Sequence, residues 1–234
     1  MKQRNEEADT DEKMLRISMD AKATVKVGPF ARGGKSRVLT KAADHDFHAQ
    51  AKVTPVGIFL PGSDDLYLYA VTSRVTSDCL VDRLVDWWET VKERFSHITT
   101  LLINLDNGPE NQSRRTQFMQ RLLQFVQRYH ITIRLAYYPP YHSKYNPIER
   151  CWGILEQHWN GALLDSVDAV VQYASTMTWK GHQPMIKLVT TTYQTGIKLT
   201  KEAMKVVETQ LERVPNLDKW FVDIVYPSPA LRDS

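Results

Sequence analysis

Only two cysteines occur in the 234 residues, Cys79 and Cys151, and no CxxC spacing links them. That pattern argues for reduced cytosolic thiols, buried as ordinary core residues, and against a structural zinc site. Long apolar runs are missing too. Without an 18-residue apolar stretch or a charged-then-apolar leader, the sequence predicts neither a membrane span nor a secretory signal, and it places the protein in the cytoplasm. There is no internal repeat and no nucleotide-binding P-loop. The glycine-rich basic loop Gly28 to Arg37 lets backbone N–H groups approach a phosphate, as a weak DNA-contact candidate, but lacks the P-loop spacing. Asp44, His45, Asp46 and His48 crowd together in an order that matches no known metal site, so they read as a polar loop.

Apolar and charged fractions are ordinary for one soluble domain of about 200 residues with tails. Charge distribution is more informative than its total of +3. From Gln112 to Arg150 the basic residues are Arg114, Arg115, Arg121, Arg128, Arg134, Lys144 and Arg150, and the single acid is Glu149, so the rest of the chain is net negative. A lone carboxylate in the most basic window suggests a site that grips a polyanion and holds a cation.

Residues 1–13 carry eight charges and almost no apolar side chain, and are expected to be a disordered tail. One catalytic domain is expected over 14–226, followed by a short tail at 227–234. Met14 to Met19 alternates as a strand leading to Asp20, with Thr24 to Val27 as its partner strand. Val56 to Leu60 and Leu66 to Thr72 form a strand, turn, strand unit. Helical spacing follows over Cys79 to Phe95, whose two tryptophans belong to the core. Thr100 to Leu105 is a buried strand ending at Asp106, Ser113 to Tyr129 a helix, and Ile131 to Ala136 a strand. In the stretch Tyr137 to Trp152, the prolines at 139 and 140 forbid helix, and Asn146, Pro147 and Glu149 stand at N-cap, N1 and N3 of a new helix reaching about Trp159. Beyond it the pattern gives a helix over Val167 to Met177, short strands at Thr190 to Tyr193 and Gly196 to Leu199, a Thr-capped helix over Thr200 to Arg213, and a terminal strand over Trp220 to Tyr226.

Strands alternating with helices imply an α/β fold with a mixed sheet, in which residues just past strand ends line the site. Asp20 and Asp106 occupy such positions. If their strands are adjacent and the Glu149 helix packs across them, three carboxylates converge and require a neutralising ion. Hard oxygen ligands select Mg²⁺ or Mn²⁺, and two such ions suit phosphoryl transfer on DNA. Each acid also has a plainer role open to it: a solvated turn for Asp20 and Asp106, a capping box for Glu149.

Asp20 after its strand, LLINLD ending at Asp106, and YPPYHSKYNPIERCWG at 138–153 resemble the three acidic segments of DDE transposases with a ribonuclease-H-like core. SMDAKATVKVGPFARGG, DNGPENQSR, HWNG and YQTGIKLTKEAM narrow the likeness to the ISAzo13 transposase family, from about Ile17 to Tyr226, with more distant similarity to IS630 and Tc1/mariner relatives. The resemblance implies a fold of mixed sheet flanked by helices, Mg²⁺-dependent cleavage at insertion-element ends, and joining of the freed 3′-OH to target DNA. It makes Asp20, Asp106 and Glu149 the catalytic metal ligands, with Glu156 as second choice. Asn107, His142, Ser143, Lys144 and Asn146 fall in its motifs as supporting or phosphate-contact residues, and Trp152 is expected to pack the helix in place. Arg114, Arg115, His142, Lys144 and Arg150 are the DNA-binding candidates. The partners implied are element-end and target DNA, further copies of the chain on DNA, and a separately encoded DNA-binding subunit, since only about 14 residues precede the first strand. A ribonuclease-H-type nuclease without strand transfer and an inactive DNA-binding remnant are the alternatives.

Overall fold

The structure, a computed structural model, describes residues 1–30, 41–42, 49–139 and 142–226. The basic residues 31–37 of the glycine-rich loop, the Asp44 to His48 group and the expected tail at 227–234 lie outside these. The chain divides into two compact units, one comprising 1–18, 76–146 and 194–234, the other 19–75 and 147–193.

The first unit is built on a parallel pair of strands joined by a helix. β5 (Thr100–Leu105) and β6 (Thr132–Tyr137) run in register from Thr100 opposite Thr132 to Leu105 opposite Tyr137, with α3 (Thr116–Tyr129) as the crossover. β9 (Phe221–Ile224) adds antiparallel to β6, and β8 (Glu212–Arg213) antiparallel to β9. The apolar stripe of α3 faces α2 (Ser77–Val91), where Trp88 meets Phe125 edge-on at 6.5 Å. Thr76 caps α2 by accepting from the Cys79 N–H, and α6 (Lys201–Glu208) is capped by Thr200 as its sequence predicts. Burial raises the Cys79 thiol pKa to about 11, so it is an inert core residue.

The charged N-terminal segment is not disordered. It forms helix α1 (Lys2–Thr10), and its charges are met by residues far along the chain, Arg4 by Asp223 and Glu7 by Arg134 at 2.7 Å, and by the nearby Arg16, which pairs with Asp9 at 2.7 Å. Asn5 accepts from the buried Asn104 amide at 3.0 Å, and Ala8 packs with Met14, Leu102 and Ala136. The opening residues of β1 (Met14–Ala21) belong to this unit, and its last three to the other.

The second unit carries the hairpin expected from sequence. β3 (Ala51–Leu60) and β4 (Asp65–Val71) pair antiparallel from Thr54 opposite Val71 to Leu60 opposite Asp65. β2 (Val25–Val27) pairs with β3, not with β1, because Val25 and Val27 bury beside Val53. β7 (Met185–Val189) lies parallel to β4, while the strands expected at 190–193 and 196–199 do not form. β7 reads poorly as a strand because four of its five side chains are exposed or half-exposed. Two helices, α4 (Ile148–Trp159) and α5 (Val167–Ser175), supply the rest of this core. Cys151 is fully buried within it, which raises its pKa to about 12.

Removing Arg4 should show that α1 is an integral element. Arg4→Ala leaves the half-buried Asp223 carboxylate poorly compensated and is expected to cost about 1–2 kcal/mol in urea denaturation. Lys2→Ala, at an exposed pair with Glu6, should stay within about 0.5 kcal/mol. Equal, negligible effects would mean that the helix contributes nothing.

Candidate active site

In the first unit β5 is buried from Leu101 to Leu105 and stops where the chain becomes half-exposed, at Asp106. The loop after it is pinned from three sides. Tyr137, opposite Leu105, donates its hydroxyl to the Asn111 carbonyl at 2.7 Å, and burial holds that phenol well above its ordinary pKa, so it remains a donor. Gln112 N–H closes a turn on the Gly108 carbonyl at 3.0 Å. At the far side Ser77 donates to the Glu110 carbonyl at 2.7 Å, and Arg115 pairs with the Glu110 carboxylate at 3.0 Å.

Within this loop Asn111, only 6% exposed, donates from Nδ2 to Asp106 Oδ1 at 2.8 Å. Its own amide oxygen is buried without a hydrogen-bond partner among the described residues. Gly108 closes over the same atoms: a Cβ there would stand 3.2 Å from Asn111 Oδ1 and 3.2 and 3.3 Å from the two Asp106 oxygens. Sequence inspection singled out Asn107 in this motif and passed over Asn111. The available signal was an asparagine five residues past a strand-end aspartate, too common a spacing to mark it.

Asp20 and Glu149 both belong to the second unit. Asp20, the penultimate residue of β1, is 8% exposed, and Trp152 Nε1 donates to its Oδ2 at 2.8 Å. Trp152 lies three residues beyond Glu149, on the same side of α4. Ile148, Cys151, Trp152, Leu155 and Trp159 form that helix's buried stripe, and Glu149 remains half-buried in its first turn. The helix lies close on β3 because position 57 is glycine; a Cβ there would come within 2.6 Å of the Trp152 ring and 2.7 Å of Ile148 Cδ1. Trp152 does seat the helix, as sequence suggests, and it also ties Glu149's helix to the Asp20 carboxylate.

The expected capping box differs. Pro147 is the N-cap of α4 and no side chain caps it, while Asn146, 1% exposed, uses its amide oxygen to accept from Ser18. Burial diverts Asn146 to a partner 128 residues away. Glu156, the alternative acid, is exposed and pairs with Lys22 at 2.7 Å.

The cationic candidates separate into two kinds. Arg114 and Arg150 are exposed, whereas Arg115 is engaged with Glu110 and braces the Asp106 loop. His142 and Lys144 are exposed and flank Tyr145, itself 61% exposed, with ring centroids 5.8 Å apart for His142 and Lys144 Nζ 5.3 Å from the Tyr145 ring. The Ser143 side chain is not among those described. No group of three or more His, Cys, Asp or Glu side chains arranged for a metal occurs among the described residues. The donor chemistry nonetheless suits a hard divalent cation: Asp106 forms no ion pair among the described residues, and an orphaned amide oxygen stands beside it.

The structure is an α/β fold of the ribonuclease-H-like class, a mixed sheet flanked by helices. The Mos1 transposase in its paired-end complex with the left transposon end shows this fold, with a TM-score of 0.50 at 11% identity over 73% of this chain and 49% of that one. A Mos1 mariner paired-end complex with Mn (TM-score 0.48, 11% identity, 68% of this chain and 46% of that one) and the magnesium-bound dimeric HTLV-2 integrase catalytic core (0.42, 16%, 72% and 92%) also match. The chain belongs to the Rhodopirellula transposase DDE domain family, whose model matches residues 1–226. It spans about half the length of the Mos1 transposase chain. No curated protein matches it. No helix among the described residues is long and apolar enough to cross a membrane.

Trp152→Phe keeps most of the packing and deletes the N–H to Asp20, and should cost about 1–3 kcal/mol of stability. Gly57→Ala should also destabilise, by displacing α4. Chemical denaturation of both variants tests this: an unchanged midpoint for Gly57→Ala would show that α4 does not sit against β3 as described.

Proposed function

We propose that this domain cuts DNA at the ends of an insertion element and joins the freed 3′-OH to target DNA, with Asp20, Asp106 and Glu149 as the carboxylates that hold Mg²⁺ or Mn²⁺. Membership of a transposase DDE family over 226 residues carries this reading, and the position of each acid supports it: Asp106 beyond a buried strand, Asp20 near the end of another, Glu149 in the first turn of a helix. Two divalent ions, when bound by such carboxylates, activate an attacking oxygen and stabilise the leaving oxygen of a phosphodiester. The side chains of this chain do the positioning. Trp152 orients Asp20, Asn111 orients Asp106, and the buried stripe of α4 presents Glu149.

DNA is held by Arg114, Arg150, His142 and Lys144, all exposed, through phosphate contacts. Arg115 acts indirectly, by fixing the loop that follows Asp106. More than one copy of the chain acts on the DNA.

Asp106→Asn and Glu149→Gln should each abolish Mg²⁺-dependent nicking of element-end DNA while leaving thermal unfolding nearly unchanged, since shape is kept and a ligand charge is lost. Undiminished nicking by Asp106→Asn would overturn the assignment. Supplying pre-cleaved ends separates the chemistry, because strand-transfer products are expected and hydrolysis alone would reduce the domain to a nuclease. For Arg114→Ala, binding should weaken on all sequences alike, with the salt-dependence slope smaller by about 1; an unaltered slope would remove this contact.

A further inference from the structure

We infer that Asn111 is a positioning residue for the cation held at Asp106: its amide nitrogen fixes the carboxylate, and its amide oxygen accepts a hydrogen bond from the hydration shell of that cation. The inference rests on the assignment of Asp106 as a metal ligand. Its own ground is the side chain's divided state. Nδ2 is committed to Asp106 Oδ1 at 2.8 Å, and Oδ1, equally buried, has no partner among the described residues.

Turning the amide over would not relieve this. It would aim the amide oxygen at a carboxylate oxygen, two acceptors face to face, so Asp106 itself dictates which end of the amide is left over. The backbone around Asn111 is equally committed. Its carbonyl accepts from the buried Tyr137 hydroxyl at 2.7 Å, and its N–H points to the Gly108 carbonyl at 3.4 Å, which holds the residue in place. A buried acceptor kept in this way calls for a donor, and none of the described residues supplies one.

Gly108 indicates where that donor comes from. Asn111 Oδ1 and both Asp106 oxygens crowd the front of its α-carbon, each 3.2–3.3 Å from where a Cβ would be, so the three oxygens stand together. Neutral and negative oxygens gathered in this way suit a hydrated hard cation. Mg²⁺ binds through one or two carboxylates and keeps several waters, and its polarised waters are strong donors. Such outer partners tune metal affinity by holding ligand and hydration shell in place.

Mn²⁺ titration of the full chain, followed by calorimetry and by electron paramagnetic resonance of the free ion, tests the inference without reference to DNA cleavage. Asn111→Ala should weaken Mn²⁺ binding by about 10-fold or more. Asn111→Asp keeps an oxygen at that place but sets a second carboxylate against Asp106, so it should lower the unfolding midpoint without metal and recover on Mn²⁺ addition, which a role in loop packing alone would not predict. Gly108→Ala, which presses a methyl against these three oxygens, should also weaken binding, and it serves if Asn111→Ala does not fold. Unchanged affinity in Asn111→Ala, or in Gly108→Ala where the former is unfolded, would overturn the inference provided that Asp106→Asn abolishes binding. If Asp106→Asn itself binds Mn²⁺ normally, the assignment of Asp106 as a ligand fails first.

Discussion

An acidic side chain that is to receive a divalent cation, the role proposed for Asp20 and Asp106, has to be aimed without being neutralised. A lysine or arginine would orient a carboxylate while cancelling the charge a cation needs; an indole or an amide orients it and leaves that charge in place. Asp106 is held by the Asn111 amide and forms no ion pair among the described residues; Asp20 accepts from the Trp152 indole, at the same 2.8 Å. Much of the surrounding structure can be read as support for these two hydrogen bonds. Tyr137 and Arg115 fix the loop that carries Asn111, and the buried stripe of α4 with Gly57 beneath it fixes Trp152.

The arginines show the complementary arrangement. Those on buried or half-buried ground are engaged with acids: Arg4 with Asp223, Arg121 with Asp78 and Asp82, Arg115 with Glu110. Arg114 and Arg150 stay exposed. Two residues adjacent in sequence, Arg114 and Arg115, thus serve different ends, one facing solvent and one spent on internal order. A net-charge count over the basic window cannot distinguish them, although only exposed cations add to the attraction for a polyanion.

How much could be read from the chain alone followed the range of the forces involved. Burial and periodicity act locally, so β5, α3, α4 and the β3–β4 hairpin lie within a few residues of where the pattern puts them. Asp20, Asp106 and Glu149 stood out because strand ends and helix starts are local features. Contacts between distant residues were not legible. Helix α1 looks like a solvated tail until Asp223 and Arg134 are brought to it. Asn146 looks like a helix cap until Ser18 takes its amide oxygen, and β2 finds β3 in place of β1 because of Val53. Asn111 was invisible for another reason: its partner Asp106 is only five residues away, but that spacing is too common to single it out.

The absence of a side chain at position 57 carries an evolutionary corollary. Because the glycine's empty space is filled by the ring of Trp152, neither residue is free to drift by itself. Among descendants of this chain a larger residue at 57 should appear only together with a smaller one at 152, and such a lineage would have had to find another donor for Asp20. A paired change at these two sites would therefore date the loss or replacement of that hydrogen bond within the family's history.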